Sequence, residues 1–306
     1  MGDSILTVEP TAEPVYLPDR WPRDLRPRKE VPANPSAVVP ILMYHRVGHV
    51  PAGSADAIRK DLSVSPEAFE SQMAYLADNG FHSVTLQDLL DYLERGRSLP
   101  PKPVILTFDD GYDTMYHRAW PVLKRHGLIG VFFVITDFVG KGEYLSWKQI
   151  QEMAQTGMDF QSHTRNHRDL TKSSREQITW QLKGSREMLE AQLKRPVRFL
   201  SYPAGKYNQT VIDVTREQGY QAAVTIIYGA IHSALDRYEW QRLRIHGGDS
   251  LPTFVKKLNL VYPGPPASAG EPGAAGAPLG KSPPGKNPRP PGWRVGPWEL
   301  RMLEGS

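Results

Sequence analysis

The 306 residues contain no cysteine. That absence excludes a disulfide framework, Cys-ligated zinc and thiol catalysis together. No run approaches the roughly 18 consecutive apolar residues that a membrane-spanning helix needs, so no transmembrane segment is expected. Mean hydropathy is −0.45. The opening stretch MGDSILTVEPTAEPVYLPDRWPRDLRPRKE lacks the basic start and apolar core of a secretory signal. Read as written, the chain carries no export address, and that alone predicts a cytoplasmic protein. A strong charge imbalance is missing too. Lys plus Arg number 37 against 33 Asp plus Glu, a formal net charge of +4. So small an excess gives no footprint for phosphate-driven binding, and nucleic acid is not an expected partner.

What is present is 40% hydrophobic and 23% charged residues, a globular composition with length enough for a substantial core. Pro and Gly are spread unevenly. Residues 1–36 hold seven prolines and no periodic apolar pattern, and read as an extended arm. Residues 261–306 read as a disordered tail. From Pro263 onward they hold 11 Pro and 9 Gly in 44 residues, too little apolar surface to offset the entropy of ordering.

Residues 37–260 alternate strand-like and helix-like segments. Val38–Met43, Val104–Phe108, Val131–Ile135, Arg198–Ser201 and Ala222–Thr225 are short apolar runs. Phe81–Val84, a segment leading into Gln161, and Arg242–His246 complete the expected strands. Caps mark the helices: Ser65 with Pro66, Thr85 before LQDLLDYLER with Gly96 after it, Ser146, and Asn208 with Gly219. Further helices are expected over Ala119–His126, Arg175–Leu193 and Leu251–Leu258. Unalternating apolar strands followed by helices predict a parallel sheet covered by helices. About seven such units favour an α/β fold closed into a distorted barrel. An open doubly wound sheet is the alternative. In either architecture chemistry gathers in the loops after the strands.

Five clusters sit in such places. Asp109-Asp110-Gly111 follows VILTF. Strand neighbours point to opposite faces, but Gly111 lets the chain turn, so both carboxylates can reach one cavity. A polar turn is the plainer reading. His163-Thr164-Arg165-Asn166-His167 follows a short strand. On a helical turn, histidines four apart share a face and can meet one ion. With a carboxylate they make a three-ligand site open to water or substrate; two solvated surface histidines is the alternative. Met43-Tyr44-His45 places a histidine, catalytic or merely packed, at the rim of the first strand. Tyr202-Pro203-Ala204-Gly205 makes a rigid loop that can wall a pocket or present backbone N–H groups, or a simple turn. In Arg242-Leu243-Arg244-Ile245-His246 the three cationic groups share a strand face. Turned inward they need acidic partners, and Asp109 or Asp110 would serve. Turned outward they are a solvated edge.

Taken in order, ILMYHRVG, LTFDDGYDT, SHTRNH, SYPAGKYN and RLRIHGGDS resemble the polysaccharide deacetylase family, the domain of chitooligosaccharide and peptidoglycan deacetylases. The likeness runs from Pro40 to Leu258. It implies a distorted (β/α) barrel with fewer than eight full units. It also implies a divalent metal on Asp110, His163 and His167, with Asp109 as general base. Zinc is the default for such a donor set, with cobalt, nickel or iron also suitable. The implied partner is an N-acetylated glycan, hydrolysed at its acetamide. Tyr202, Pro203 and Gly205 would form a substrate loop whose backbone N–H shares the oxyanion.

Two departures from the commonest family pattern stand out. Many members place the acid histidine after the last strand, where His246 stands. A permuted subgroup that includes poly-β-1,6-N-acetylglucosamine deacetylases carries it early, in a Tyr-His pair. His45 is therefore the expected acid and His246 the alternative. The arginine that often orients the base, just before the Pro-x-Gly loop, is replaced by Ser201, leaving Arg242 or Arg244 as candidates. An O-acetyl esterase, or a hydrolase of another non-peptide C–N bond, would use the same site. An inactive carbohydrate-binding relative is disfavoured by the intact Asp109, Asp110, His163 and His167. The family commonly acts outside the membrane, which contrasts with the missing export address.

Overall fold

The computed structural model describes residues 35–262. The expected arm and tail therefore lie outside the described residues, apart from the inner end of each. Ser36 already belongs to a strand, and Val261 and Tyr262 pack on the core.

The chain enters through β1 (Ser36–Val38), breaks at Pro40, and forms β2 (Ile41–Tyr44). The proline has no N–H to give a ladder, so the expected Val38–Met43 strand is two strands. An excursion follows through β3 (Arg46–Val47), α1 (Ala57–Leu62) and β4 (Ser63–Val64). α2 (Pro66–Asp78) starts where Ser65 accepts from the Ala68 N–H. Then come β5 (His82–Ser83) and α3 (Leu86–Arg95), opened by a Thr85–Asp88 capping box and closed by left-handed Gly96. Next are β6 (Pro103–Phe108), a π-turn over Met115–Ala119, α4 (Trp120–Arg125) and β7 (Val131–Val134). α5 (Trp147–Gln155), β8 (Asp159–Ser162), α6 (Arg175–Leu193), β9 (Phe199–Ser201) and α7 (Gln209–Glu217) continue the alternation. β10 (Ala222–Tyr228), β11 (Ile231–Ser233), β12 (Trp240–Arg244) and α8 (Leu251–Asn259) complete it. Among the described residues, no helix is long and apolar enough to cross a membrane.

Strands pair in the order β2-β12-β10-β9-β8-β7-β6, and β6 pairs back to β2. The seven-stranded parallel sheet is thus a closed barrel, not the open sheet held as the alternative. β5 adds to the outside of β6, and β1 pairs antiparallel with β11.

Alternate strand residues face two cores. Leu42, Tyr44, Leu106, Phe108, Phe132, Phe160 and Leu200 pack with the buried faces of the outer helices. Ile41, Ile105, Val131, Phe133, Phe199, Val224 and Trp240 form the interior, plugged at one end by the leucines of α3. On the outer side Tyr44, Phe108, Phe132 and Phe160 are neighbours in register on four adjacent strands. Their rings stack with centroid spacings of 5.3, 4.8 and 5.2 Å. This ladder ties β2, β6, β7 and β8 together just below the loops that carry the polar clusters.

Two outcomes follow for stability. Phe132→Ala should cost about 3–5 kcal/mol, read by urea unfolding. The second concerns His232, which donates Nε2–H to the Val39 carbonyl at 2.8 Å and has a buried, unpartnered Nδ1. Burial pushes its pKa down to about 4. The unfolded chain binds that proton near pH 6.5, so stability falls as pH drops from about 6.5 toward 4. Unfolding free energies at pH 7 and 5 should show a smaller drop in His232→Gln than in wild type.

Candidate active site

Ile105, Thr107 and Asp109 continue the inward face of β6. Asp109 lies one residue past the strand, and its N–H still donates to the Tyr44 carbonyl at 2.9 Å. It meets Arg242, which points inward from β12 and is 1% exposed. The guanidinium donates to Asp109 Oδ1 at 2.8 Å and Oδ2 at 2.7 Å, a bidentate pair. Its remaining N–H groups go to the Thr225 carbonyl, Thr107 Oγ1 and Ser201 Oγ. All five guanidinium donors are satisfied, the condition for burying this charge. Ser201 Oγ in turn donates to Asp109 Oδ2 at 3.1 Å. Burial alone would raise the Asp109 pKa, but the charge and hydrogen bonds of Arg242 outweigh it and hold the carboxyl below its usual value. Three of about four lone-pair positions on the carboxylate are used, which leaves one on Oδ1.

Asp110 breaks the strand alternation. Its φ is 78° and that of Gly111 is 82°. The left-handed pair swings the second carboxylate to the same end of the barrel as the first, a strained turn of the kind found at functional sites. Asp110 Oδ1 lies 3.3 Å from His163 Nε2 and 3.7 Å from His167 Nε2. The two rings meet edge to face at 4.8 Å.

The histidines do not converge on a helical turn, as their spacing suggested. Residues 163–169 are irregular, and Thr164 and His167 are left-handed, with φ of 66° and 61°. The reason is local: Thr164 Oγ1 accepts from the His167 N–H at 3.1 Å, closing a tight turn.

The three donors lie within 4.8 Å of one another. Tetrahedral bonds of about 2.1 Å would space them about 3.4 Å apart, close to the observed separations from Asp110. His163 Nδ1–H donates to the Ser201 carbonyl at 2.7 Å, which leaves Nε2 as the lone-pair donor toward Asp110. The donor set therefore fits a divalent cation. Burial would lower the His163 pKa, but its hydrogen bond to Asp110 and the charges of Asp109 and Asp110 hold it above the ordinary value, an attraction that a cation at this point would replace. Burial would raise the Asp110 pKa, but the His163 hydrogen bond and the fields of His45, His167 and His163 hold it far below the carboxylate range. Burial and the neighbouring His163 push His167 down to about 4, toward the neutral ligand form.

His45 follows β2 directly and stands beside these groups, close enough to interact electrostatically with Asp109, Asp110 and His167. Burial pushes it down to about 4 against the opposing pull of Asp110 and Asp109. Its Nδ1 is buried with no hydrogen-bond partner among the described residues.

The last strand runs over Trp240–Arg244, two residues earlier than expected, because Gly247 and Gly248 turn the chain out of the sheet. His246 thus lies off the strand and does not share the inward face of Arg242. Its Nδ1 is hydrogen-bonded to Asp61 Oδ1 at 2.7 Å. Arg244 also bonds Asp61, not Asp109. Of the two arginines proposed for the base, only Arg242 touches it.

The Tyr202–Gly205 loop is rigid. Ala204 has φ of 50°, and a Cβ on Gly205 would come 2.4 Å from Ile226. Tyr202 is buried and stacks on Tyr207. Its N–H, however, donates to the Val224 carbonyl, and those of Gly205 and Lys206 close the turn. The loop is a wall, and these three N–H groups are engaged within the protein.

The sequence reading missed Asp61 and the double role of Ser201. It also missed Gln181, although a glutamine on the buried face of a long amphipathic helix was a usable signal.

The family model for polysaccharide deacetylase matches residues 96–223. The chain is 32% identical over 218 residues to YxkH of Bacillus subtilis, a protein named for the same family, covering 71% of this chain and 75% of that one. It is 31% identical over 212 residues to a poly-β-1,6-N-acetyl-D-glucosamine N-deacetylase of Staphylococcus epidermidis, covering 65% and 73%. Among solved structures, the Streptococcus pyogenes deacetylase PplD in complex with acetate superposes with a TM-score of 0.67. Its identity is 32%, covering 72% of this chain and 97% of that one.

The Arg242–Asp109 pair gives a direct test. Arg242→Met leaves Asp109 buried without its counter-ion and should cost about 3–5 kcal/mol in urea unfolding. Adding Asp109→Asn should recover a large part of that loss, whereas Arg244→Ala with Asp109→Asn should be additive.

Proposed function

The chain belongs to the polysaccharide deacetylase family, and on that premise we propose that it removes N-acetyl groups from the amino sugars of a glycan. The observation that carries the reading is Asp109, held ionised by Arg242, beside the Asp110–His163–His167 donor set. An acetamide needs an activated water, a stabilised oxyanion and a protonated nitrogen leaving group. A divalent cation held by the three donors, zinc first, would polarise the acetyl carbonyl and acidify water.

The remaining steps fall to side chains. Asp109 Oδ1 takes a proton from the attacking water through its free lone pair. Arg242 and Ser201 keep that carboxylate ionised and fixed in direction. The proton that Asp109 has taken from water passes to His45 before the C–N bond breaks, and His45 then donates it to the departing nitrogen, which leaves both side chains as they began. Water thus ends as the acetate oxygen and the amine hydrogens. His45 is neutral at rest, so its acid form has to arise within the catalytic cycle. That requirement keeps a second reading alive: the exposed edge of His246, oriented by Asp61, would donate instead.

The name of the Staphylococcus epidermidis relative makes β-1,6-linked N-acetylglucosamine the first polymer to try. An O-acetyl ester needs the same water and base, which makes ester hydrolysis the second reaction this site supports. A binding protein without turnover would not need an ionised Asp109 beside three intact donors.

The experiment is acetate release from β-1,4 and β-1,6 N-acetylglucosamine oligomers by zinc- or cobalt-loaded protein. Asp109→Asn and His45→Ala should each lower kcat/KM by about 10²–10⁴-fold, with His246→Ala closer to wild type. Loss at His246 with His45 dispensable would move the acid and keep the reaction. Release from acetyl esters alone would favour the esterase. No acetate from any acetylated glycan or ester, with metal bound, would sink the proposal.

A further inference from the structure

α6 carries two residues that are costly where they stand. Gly184 sits in the helix interior, which costs about 1 kcal/mol relative to alanine. Gln181 is 2% exposed, and a buried amide must find partners. Trp180, Gln181, Gly184 and Ser185 form one stripe of the helix, spaced i, i+1, i+4 and i+5. All four meet the 162–167 segment. The Arg165 guanidinium lies 4.0 Å over the Trp180 ring. A Cβ on Gly184 would come 2.8 Å from Arg165 Cδ, so only glycine lets that side chain lie against the helix. Ser185 Oγ and Ser162 Oγ are 2.9 Å apart.

Gln181 makes the closest connection. Its Oε1 accepts from the backbone N–H of Arg165 at 3.0 Å and of Asn166 at 3.2 Å, and its Nε2 donates to Asn166 Oδ1. These two N–H groups lie between His163 and His167, in a turn whose left-handed residues at Thr164 and His167 already cost energy. A strained turn persists only when its surroundings over-determine it.

We infer that Gln181 is a positioning residue for the metal-ligand loop, acting through the Arg165 and Asn166 backbone on the spacing of His163 and His167. The inference rests on the metal reading proposed above. Among the described residues the hydrogen bonds of Gln181 to this segment all go to Arg165 and Asn166 and none to either histidine, so its effect passes through the loop. Without the shared acceptor, the two N–H groups lose their partner and the turn can relax away from the separations that suit a cation.

The test uses the full chain stripped of metal, then titrated with zinc against a chromophoric chelator, and separately with cobalt while its visible absorption is recorded. Gln181→Met removes acceptor and donor at nearly constant volume and should weaken zinc binding about tenfold or more, with an altered cobalt spectrum. Gln181→Glu keeps an oxygen for both N–H groups and should bind zinc close to wild type. Gln181→Asn, which withdraws the amide by one methylene, is the milder version should the Met variant fold poorly. Leu189→Ala, buried on the same helix, should lower stability without changing the affinity. Equal zinc affinity in wild type, Gln181→Met and Gln181→Asn would overturn the inference and leave the metal reading standing. Affinity that merely tracks stability, Leu189→Ala included, would overturn it as well. A wild type that binds no zinc or cobalt would overturn the metal reading and this inference with it.

Discussion

A single buried ion pair governs how this barrel is filled. Arg242 and Asp109 approach from β12 and β6, strands separated by β2 in the sheet, and meet in the interior where little water is available. A charge pair in such a place is tolerated only when every donor is met. The interior is therefore polar at this level and apolar below it. Thr107, Ser201 and Thr225 stand around the guanidinium, while Ile41, Ile105, Val131, Phe199 and Trp240 fill the layer beneath. The closed barrel is what makes the pair possible, because strands far apart in the chain become near neighbours only once β6 pairs with β2.

Around that pair, backbone strain is concentrated. Asp110, Thr164, His167 and Ala204 all adopt left-handed conformations. Each lies in a loop at the same end of the barrel. Asp110 needs the conformation to escape the strand alternation and join His163 and His167. Ser201 links the two halves: its hydroxyl serves Asp109 and its carbonyl orients His163. The Arg242 guanidinium, reaching in from β12, donates to this hydroxyl at 3.2 Å and so stands directly against the position.

Much of the architecture was readable from local signals. Ser65, Thr85, Ser146 and Asn208 cap the helices where expected, and Arg175–Leu193 is helical over its predicted span. Capping depends on residues three apart, which a sequence displays directly. The last strand was misplaced by two residues, because its start is set by Trp240 pairing with Val224 on β10 and its end by the turn at Gly247 and Gly248, not by its own apolar pattern. The small β1–β11 pair and the β3–β4 pair had no local signature, being too short to show a period. The assumption of a helical turn under His163 and His167 failed for a related reason. Spacing of four fits a helix, but Thr164 closes a different turn with its side chain.

What the sequence determined by itself was the inventory: two carboxylates after a buried strand, two histidines four apart, an early and a late histidine, and two arginines in a strand of alternating pattern. Those follow from residue type and spacing, which are local. Only the tertiary structure decided between partners. It gave Asp109 to Arg242 and Asp61 to Arg244 and His246, and spent the Tyr202 N–H on Val224. It also placed α6 against the loop between the histidines. Each of these choices is a contact between residues distant in the chain. Whether a polar group is satisfied there depends on which neighbour the closed barrel brings within about 3 Å, and no local pattern encodes that distance.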